Sequence, residues 1–233
     1  MKDLFGKALL DYQNGRYTED IITSTNISEE DDLPLPYLFR EFKEMPKLEQ
    51  KALKLAKGSI LDVGCGAGSH SLYLQEKGFQ VKAIDISKGA IEVAKQRGVL
   101  HAEVKNILDE SERFDTVLLL MNGTGIFQEL VNVSKYLTHL KSLLNPNGQI
   151  LIDSSDIKYM YEDEDGGFWM DMNANYYGEL DYFLSYKGDQ EDPMKWLYLD
   201  FEKLQLACET VGLKCELVAE GEHFDYLARL IPA

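Results

Sequence analysis

Between residues 59 and 153 short apolar runs alternate with stretches of helical period, the pattern of parallel strands joined by crossover helices. The pattern predicts strands at Ser59–Val63, Gln80–Asp85, Val99–Lys105, Asp115–Met121 and Gln149–Asp153. A first helix carries Leu72 and Leu74 and stops at Gly78. A second starts after Ser87, a good N-cap, and ends at Gly98. Apolar residues at Leu130, Val133, Leu137, Leu140 and Leu144 predict a longer helix over Phe127–Leu144, and Asn145-Pro146-Asn147-Gly148 turns the chain into the fifth strand. The fold class is therefore α/β, a doubly wound sheet.

Two regions lie outside this alternation. Residues 1–57 read as helical pieces broken at Pro34, Pro36 and Pro46. An insertion at about 156–199 holds the acidic run Glu162–Asp165 and then β-forming stretches at Tyr177–Tyr186 and Trp196–Leu199, which predict an antiparallel hairpin. A helix over Phe201–Val211 follows. The last two strands, Lys214–Glu220 and Phe224–Leu230, are separated by too few residues for a crossover and must be antiparallel neighbours. The domain reading is an N-terminal helical lid over 1–57 and one ligand-binding domain over 58–233 that carries the insertion.

Composition narrows the function. Lys and Arg number 24 against 40 Asp and Glu, a net charge of −16, which repels a phosphate backbone, and no basic cluster offsets it. Nucleic acid is excluded as the expected partner. No apolar run approaches the roughly 20 residues of a membrane helix, and the start lacks the pattern of a signal peptide. Cys65, Cys208 and Cys215 have neither metal-ligand nor disulfide spacing, so a cytoplasmic protein without metal is expected. Asp171-x-Asn173-x-Asn175 begins like a calcium loop, but Tyr176 stands where the sharp-turn glycine is required and Tyr182 where the bidentate acid is required.

The chemistry lies in Asp62-Val63-Gly64-Cys65-Gly66-Ala67-Gly68, where the first strand hands over to a helix. Its glycines let the backbone turn sharply and approach a ligand. A dinucleotide fingerprint would need its third glycine at position 69, which is Ser69. Asp62 would also share its pocket with a pyrophosphate, so a cofactor with a positive end suits the loop better. This run resembles motif I of the class I S-adenosylmethionine-dependent methyltransferases. The resemblance covers about residues 55–155 and 200–230 and implies a Rossmann-like sheet with a reversed last strand and S-adenosylmethionine as cofactor.

Carried over residue by residue, the resemblance assigns the cofactor to Asp62, Gly64, Cys65, Gly66, Gly68, Asp85, Ile86, Asn106, Ile107 and Asn122. Asp62 would serve the methionine ammonium, through water or backbone, and Asp85 the ribose hydroxyls. Asp85 lies 21 positions beyond Gly64, matching the roughly 20 of a ribose-binding acid. Asn106-Ile107 occupies the adenine position, where the family usually has Asp, and Asn122 the end of the fourth strand beside the methyl group. Asn122-Gly123-Thr124-Gly125 lacks the prolines and aromatic of enzymes that methylate base or glutamine amides. The expected activity is therefore methyl transfer to a small-molecule acceptor.

His223, in the turn between the last two strands, is the candidate general base. Tyr17, Tyr37, Arg40, Trp169 and Tyr177, in the two regions outside the core, are the candidate acceptor-binding residues. Two other readings stay open from sequence: a non-catalytic cofactor-binding module and a nicotinamide-dependent oxidoreductase.

Overall fold

The computed structural model describes residues 2–162 and 176–233. In chain order the elements are α1 (Leu4–Gln13), β1 (Ile21–Thr25), β2 (Ser28–Leu33), α2 (Leu35–Leu38), α3 (Lys47–Leu55), β3 (Ser59–Val63), α4 (Ser69–Glu76), β4 (Gln80–Asp85), α5 (Lys88–Gln96), β5 (Ala102–Val104), β6 (Phe114–Leu119), α6 (Val133–Ser142), β7 (Leu144–Ser155), β8 (Glu179–Tyr186), β9 (Asp189–Gln190), β10 (Met194–Leu197), α7 (Phe201–Thr210), β11 (Leu213–Glu220) and β12 (Asp225–Pro232).

Seven strands form the main sheet in the order β5-β4-β3-β6-β7-β12-β11. The first five are parallel, and β12 runs antiparallel between β7 and β11. The order reverses at β3, so β3 and β6 flank the switch point where open α/β sheets bind ligands at strand carboxyl ends. Strands buried on both sides read as continuous apolar runs, which is why Ser59–Val63 was legible as a unit. Alternation along β6 and β7 divides the core. Leu118 and Leu151 pack against α3 and α4, whereas Val117, Leu119, Ile150 and Ile152 pack against α6 and α7.

The N-terminal region is not helical throughout. Residues 21–33 form a hairpin, and β1 pairs with β8 of the insertion, giving an antiparallel sheet in the order β10-β8-β1-β2 with β9 on β8. The two regions that sequence separates are thus one structural layer. β2 is its edge, and the exposed Glu29, Glu30, Asp31 and Asp32 there discourage pairing with another chain. The helix expected over 127–144 shrinks to α6. Asn122 and Gln128 are left-handed and Glu129 is extended, so two 3-10 turns, Gly123–Phe127 and Leu130–Asn132, occupy its approach.

α1 is fastened to the main sheet at α5. Asp3 Oδ1 accepts the Gly6 N–H at 3.1 Å and Oδ2 accepts the Gly89 N–H at 2.9 Å, so one carboxylate caps the first turns of both helices. Glu191 holds the chain start from the other side, accepting the N–H groups of Lys2 and Leu4 at 2.5 and 2.9 Å. The helices meet glycine to glycine, and a Cβ on Gly89 would stand 2.5 Å from the Gly6 carbonyl carbon. Gly89→Ala should therefore destabilise the fold by about 1–3 kcal/mol, the usual cost of overpacking. Thermal unfolding followed by circular dichroism should show a loss of several degrees, and an unchanged Tm would contradict this packing.

Candidate functional site

Three glycines follow β3, each with a left-handed backbone: Gly64 at φ 70°, Gly66 at φ 52° and Gly68 at φ 82°. The N–H groups of Gly64 and Cys65 donate to the Ile84 carbonyl at 2.9 and 3.1 Å, tying the loop to β4. Asp85, the last residue of β4, accepts the Gly66 N–H on Oδ2 at 2.9 Å and the Ser87 N–H on Oδ1 at 2.8 Å. Its partly buried carboxyl titrates above the usual range because burial outweighs those two donors. Each oxygen keeps a free lone pair for a hydroxyl.

The loop fits the cofactor that the sequence implies. A Cβ on Gly64 would lie 3.4 Å from Ile126 Cδ1, and one on Gly66 would lie 3.9 Å from Phe5 Cζ. Both glycines therefore present bare backbone to a cleft walled by α1 and by the turn after β6. Gly68 has a different task, since a Cβ there would strike Val99 Cγ2 at 2.7 Å. Ile86, beside Asp85, leaves 55% of its surface exposed, an apolar face for a flat ring.

Other assigned residues are absorbed by the fold. Cys65 is buried and its thiol is pushed up by burial and by the Asp62 and Asp85 charges, so it is not a nucleophile. Ile107 is buried in the core against α6. Asn106 caps the 3-10 turn at Ile107–Asp109, its Oδ1 accepting the Leu108 N–H at 2.9 Å, which leaves its Nδ2 as the group for a ligand. Asn122 also differs from its expected role. Its Oδ1 accepts from Ser154 Oγ at 2.9 Å and its Nδ2 donates to the Leu197 carbonyl at 3.3 Å, so the side chain joins the turn after β6 to β10.

Asp62 does not reach into the cleft. It is 2% exposed, and its Oδ2 accepts from Ser71 Oγ at 2.6 Å in α4. Burial raises its pKa, with the His70 charge and the Ser71 bonds opposing. Beside it runs a buried ionic chain that sequence reasoning missed. Arg40 Nη2 donates to both oxygens of Glu49 at 2.5 and 2.6 Å, and Glu49 Oε2 pairs with His70 Nε2 at 2.7 Å. Burial alone would raise Glu49, but His70 and Arg40 together hold it below the ordinary range. His70 is raised: burial opposes its charge, and the Glu49 bond and Asp62 charge prevail. The expected acceptor ligand Arg40 is thus first an anchor. It also donates to the Tyr37 carbonyl at 2.5 Å and lies over the Tyr37 ring at 3.9 Å.

A third strand-end acid completes this face. Asp153, on β7, accepts the Met121 N–H at 3.0 Å and the Gly123 N–H at 2.9 Å, one on each oxygen. These bonds clamp the left-handed Met121 and Asn122 at the carboxyl end of β6. Burial pushes the Asp153 carboxyl up to about 7; the Gly123 and Met121 N–H groups and His70 lower it, and Glu49 raises it. The signal for Asp153 was its position, since Asp62 and Asp85 also close parallel strands.

The acceptor candidates scatter. Tyr37 stays at this site, its phenol raised by burial and by the Glu49 and Asp153 charges against Arg40. With Tyr12, Phe39 and Arg40 it lines a cavity of about 540 Å³. Tyr17 is exposed and donates to Asp20 at 2.9 Å. Tyr177 donates to Asp156 at 2.8 Å and lines a different cavity of about 750 Å³ with Phe201 and Tyr226, on the α6–α7 face. Trp169 lies outside the described residues. His223 is exposed on the β11–β12 turn with its N–H on Asp225 Oδ1 at 3.1 Å. The turn is at the carboxyl end of the sheet, but β12 and β7 separate it from β6, which puts it about 10 Å or more to the side. Among the described residues no group of three His, Cys, Asp or Glu could hold a metal.

The profile of a family described as "Methyltransferase domain" matches residues 37–214. The solved structure of an S-adenosylmethionine-dependent methyltransferase from Bacteroides fragilis, in complex with S-adenosyl-L-homocysteine, is 46% identical. Its alignment covers 100% of this chain and 95% of that one, with a TM-score of 0.93. The ubiquinone biosynthesis O-methyltransferase of Rickettsia conorii is 31% identical over 116 residues, 46% of this chain and 38% of that protein. The chain spans about two fifths of the length of the curated relatives it matches. Streptomyces venezuelae DesVI, 17% identical with a TM-score of 0.59 over 85% of this chain and 96% of that one, shares the fold.

Removing one member of a buried ion pair strands the other, so Glu49→Gln should cost about 3–5 kcal/mol in chemical denaturation. His70 has a raised folded pKa, so its contribution is full below its ordinary value of 6.5 and is lost as pH rises through the folded value. The stability gap between wild type and His70→Gln should therefore close with rising pH. A gap that widens would contradict the charged pair.

Proposed function

From the chain's membership of the class I S-adenosylmethionine-dependent methyltransferases, we propose that it methylates a small molecule that approaches between Tyr37 and the Met121–Gly123 turn. The observation that carries this reading is the cradle of Gly64, Gly66 and the Asp85 carboxylate, facing a cleft between Phe5 and Ile126. S-adenosylmethionine supplies an electrophilic methyl group on a sulfonium. Asp85 would hold the two ribose hydroxyls, Ile86 would offer its exposed apolar face to the adenine and the Asn106 amide would meet the ring's edge. Asp62, buried against Ser71, would act on the methionine end only indirectly, by fixing the start of α4.

The remaining work is alignment and exclusion of water. A displacement needs nucleophile, carbon and leaving sulfur in line, and fixing that geometry supplies much of the rate. Tyr37, whose ring lies against the Arg40 guanidinium, forms the acceptor's wall, and the clamped turn after β6 forms its floor. The exposed carboxylates of β2 and the net charge of −16 favour a neutral or cationic acceptor and disfavour nucleic acid. No helix among the described residues is long and apolar enough to cross a membrane. Three free cysteines suit a reducing cytoplasm.

Titration calorimetry with S-adenosylmethionine, S-adenosylhomocysteine and NAD tests the reading. The first two should bind and NAD should not. Asp85→Ala should weaken both by about 10- to 100-fold, the loss of charge-assisted hydrogen bonds to the ribose. Binding of NAD alone, or full affinity in Asp85→Ala, would refute it. Labelled-methyl incorporation into a metabolite extract separates an enzyme from a binding module.

A further inference from the structure

Asp85 and Asp153 are held in the same way. Each carboxylate receives one backbone N–H on each oxygen: Asp85 from Gly66 in the loop after the neighbouring β3 and from Ser87 two residues on in its own chain, Asp153 from Met121 and Gly123, both in the turn after the neighbouring β6. Both lie on the α3–α4 side of the sheet, both are partly buried, and each oxygen keeps a lone pair for a donor on a ligand. For Asp85 that donor is a ribose hydroxyl. Asp153 stands at the carboxyl end of β7, beside the turn after β6, where the transferring methyl group belongs.

Resting on the methyltransferase reading above, we infer that Asp153 is a catalytic residue. Its carboxylate binds the acceptor's O–H or N–H and takes that proton as the acceptor is methylated. The other acids on this face are committed. Glu49 spends both oxygens on Arg40 and one also on His70, and Asp62 is sealed against Ser71. In the step, the acceptor's lone pair forms the bond to the methyl carbon. The carbon–sulfur bond breaks with its electrons returning to sulfur, and the acceptor's proton passes to Asp153, which later releases it to solvent.

Electrostatics favours coupling these events. A carboxylate that stayed ionised would stabilise the sulfonium in the ground state and hold the reaction back. Taking up the proton removes the negative charge as the positive one disappears. The charged and titratable groups around Asp153 are Glu49 on α3, His70 on α4 and Tyr37 on α2, with Arg40 behind Glu49. Their balance, with burial, leaves the Asp153 carboxyl at about 7, where a general base works at neutral pH. The acceptor class that follows is an alcohol, phenol or amine with a proton to lose, not a thioether or a tertiary amine.

The two forms of the cofactor test this without knowledge of the acceptor, because S-adenosylmethionine is cationic at sulfur and S-adenosylhomocysteine is neutral. Their affinities are measured by calorimetry from pH 5.5 to 8.5 in wild type, Asp153→Asn and Asp153→Glu. In wild type the preference for the sulfonium should grow by roughly fivefold to tenfold as Asp153 ionises, the size of a charge pair several ångströms apart in a partly buried site. It should be flat in Asp153→Asn and persist in Asp153→Glu. The carboxyl carbon resonance of Asp153 in wild type, read by NMR, should titrate near neutrality and shift between the two complexes. A pH-independent preference in wild type, the same pH dependence in Asp153→Asn, or a resonance indifferent to the sulfur's charge would overturn the assignment while leaving cofactor binding intact. Failure of wild type to bind S-adenosylhomocysteine would instead remove the methyltransferase reading, and this inference with it.

Discussion

A carboxylate at the end of a buried parallel strand has left water, and it must be given donors or lose its charge. The protein meets this constraint at Asp62, Asp85 and Asp153, all on the α3–α4 side of one sheet, and most of the site follows from how each is satisfied. Asp62 takes a hydroxyl and becomes part of α4. Asp85 and Asp153 take only backbone N–H groups, and in doing so fix the two loops, 64–68 and 121–123, that border the cleft. The donors that stabilise the acids are the same groups that shape the ligand's surroundings, so binding geometry and carboxylate solvation cannot be changed separately.

The same logic explains why the N-terminal region and the insertion are built as one layer. Arg40 reaches from beyond α2 to Glu49 on α3, which pairs with His70 at the start of α4. Asp3 caps α1 and α5 together, and Glu191 holds the first residues from the insertion. Each contact is polar, buried or partly buried, and directional. Together they fix Phe5 and Tyr37 over the cleft more tightly than apolar packing alone, which tolerates repacking.

Much of this was legible in sequence where the physics is local. β3 and β4 appear at the expected residues because a buried parallel strand needs an unbroken apolar run, and a glycine-rich turn follows only a strand that must hand over sharply. β2 was not legible, because Ser28-Glu29-Glu30-Asp31-Asp32 has no apolar alternation and exists only through pairing with β1. The helix before β7 was overlong because Gln128 takes a positive φ and Glu129 is extended, which breaks its start into two 3-10 turns that apolar periodicity does not reveal. Arg40 read as an acceptor-binding residue because its partner, nine positions on, lies in a different element. His223 read as a candidate base from its turn between the last two strands, but its lateral position depends on strand order, which puts β12 and β7 between it and β6.

A structure of this protein bound to S-adenosylhomocysteine tests the central claim most directly. The account predicts the ribose hydroxyls on the two oxygens of Asp85 and the sulfur beside the Met121–Gly123 turn, within reach of the space between Tyr37 and Asp153. Adenosine held away from Asp85, or a sulfur directed to the cavity near Tyr177 on the α6–α7 face, would contradict it.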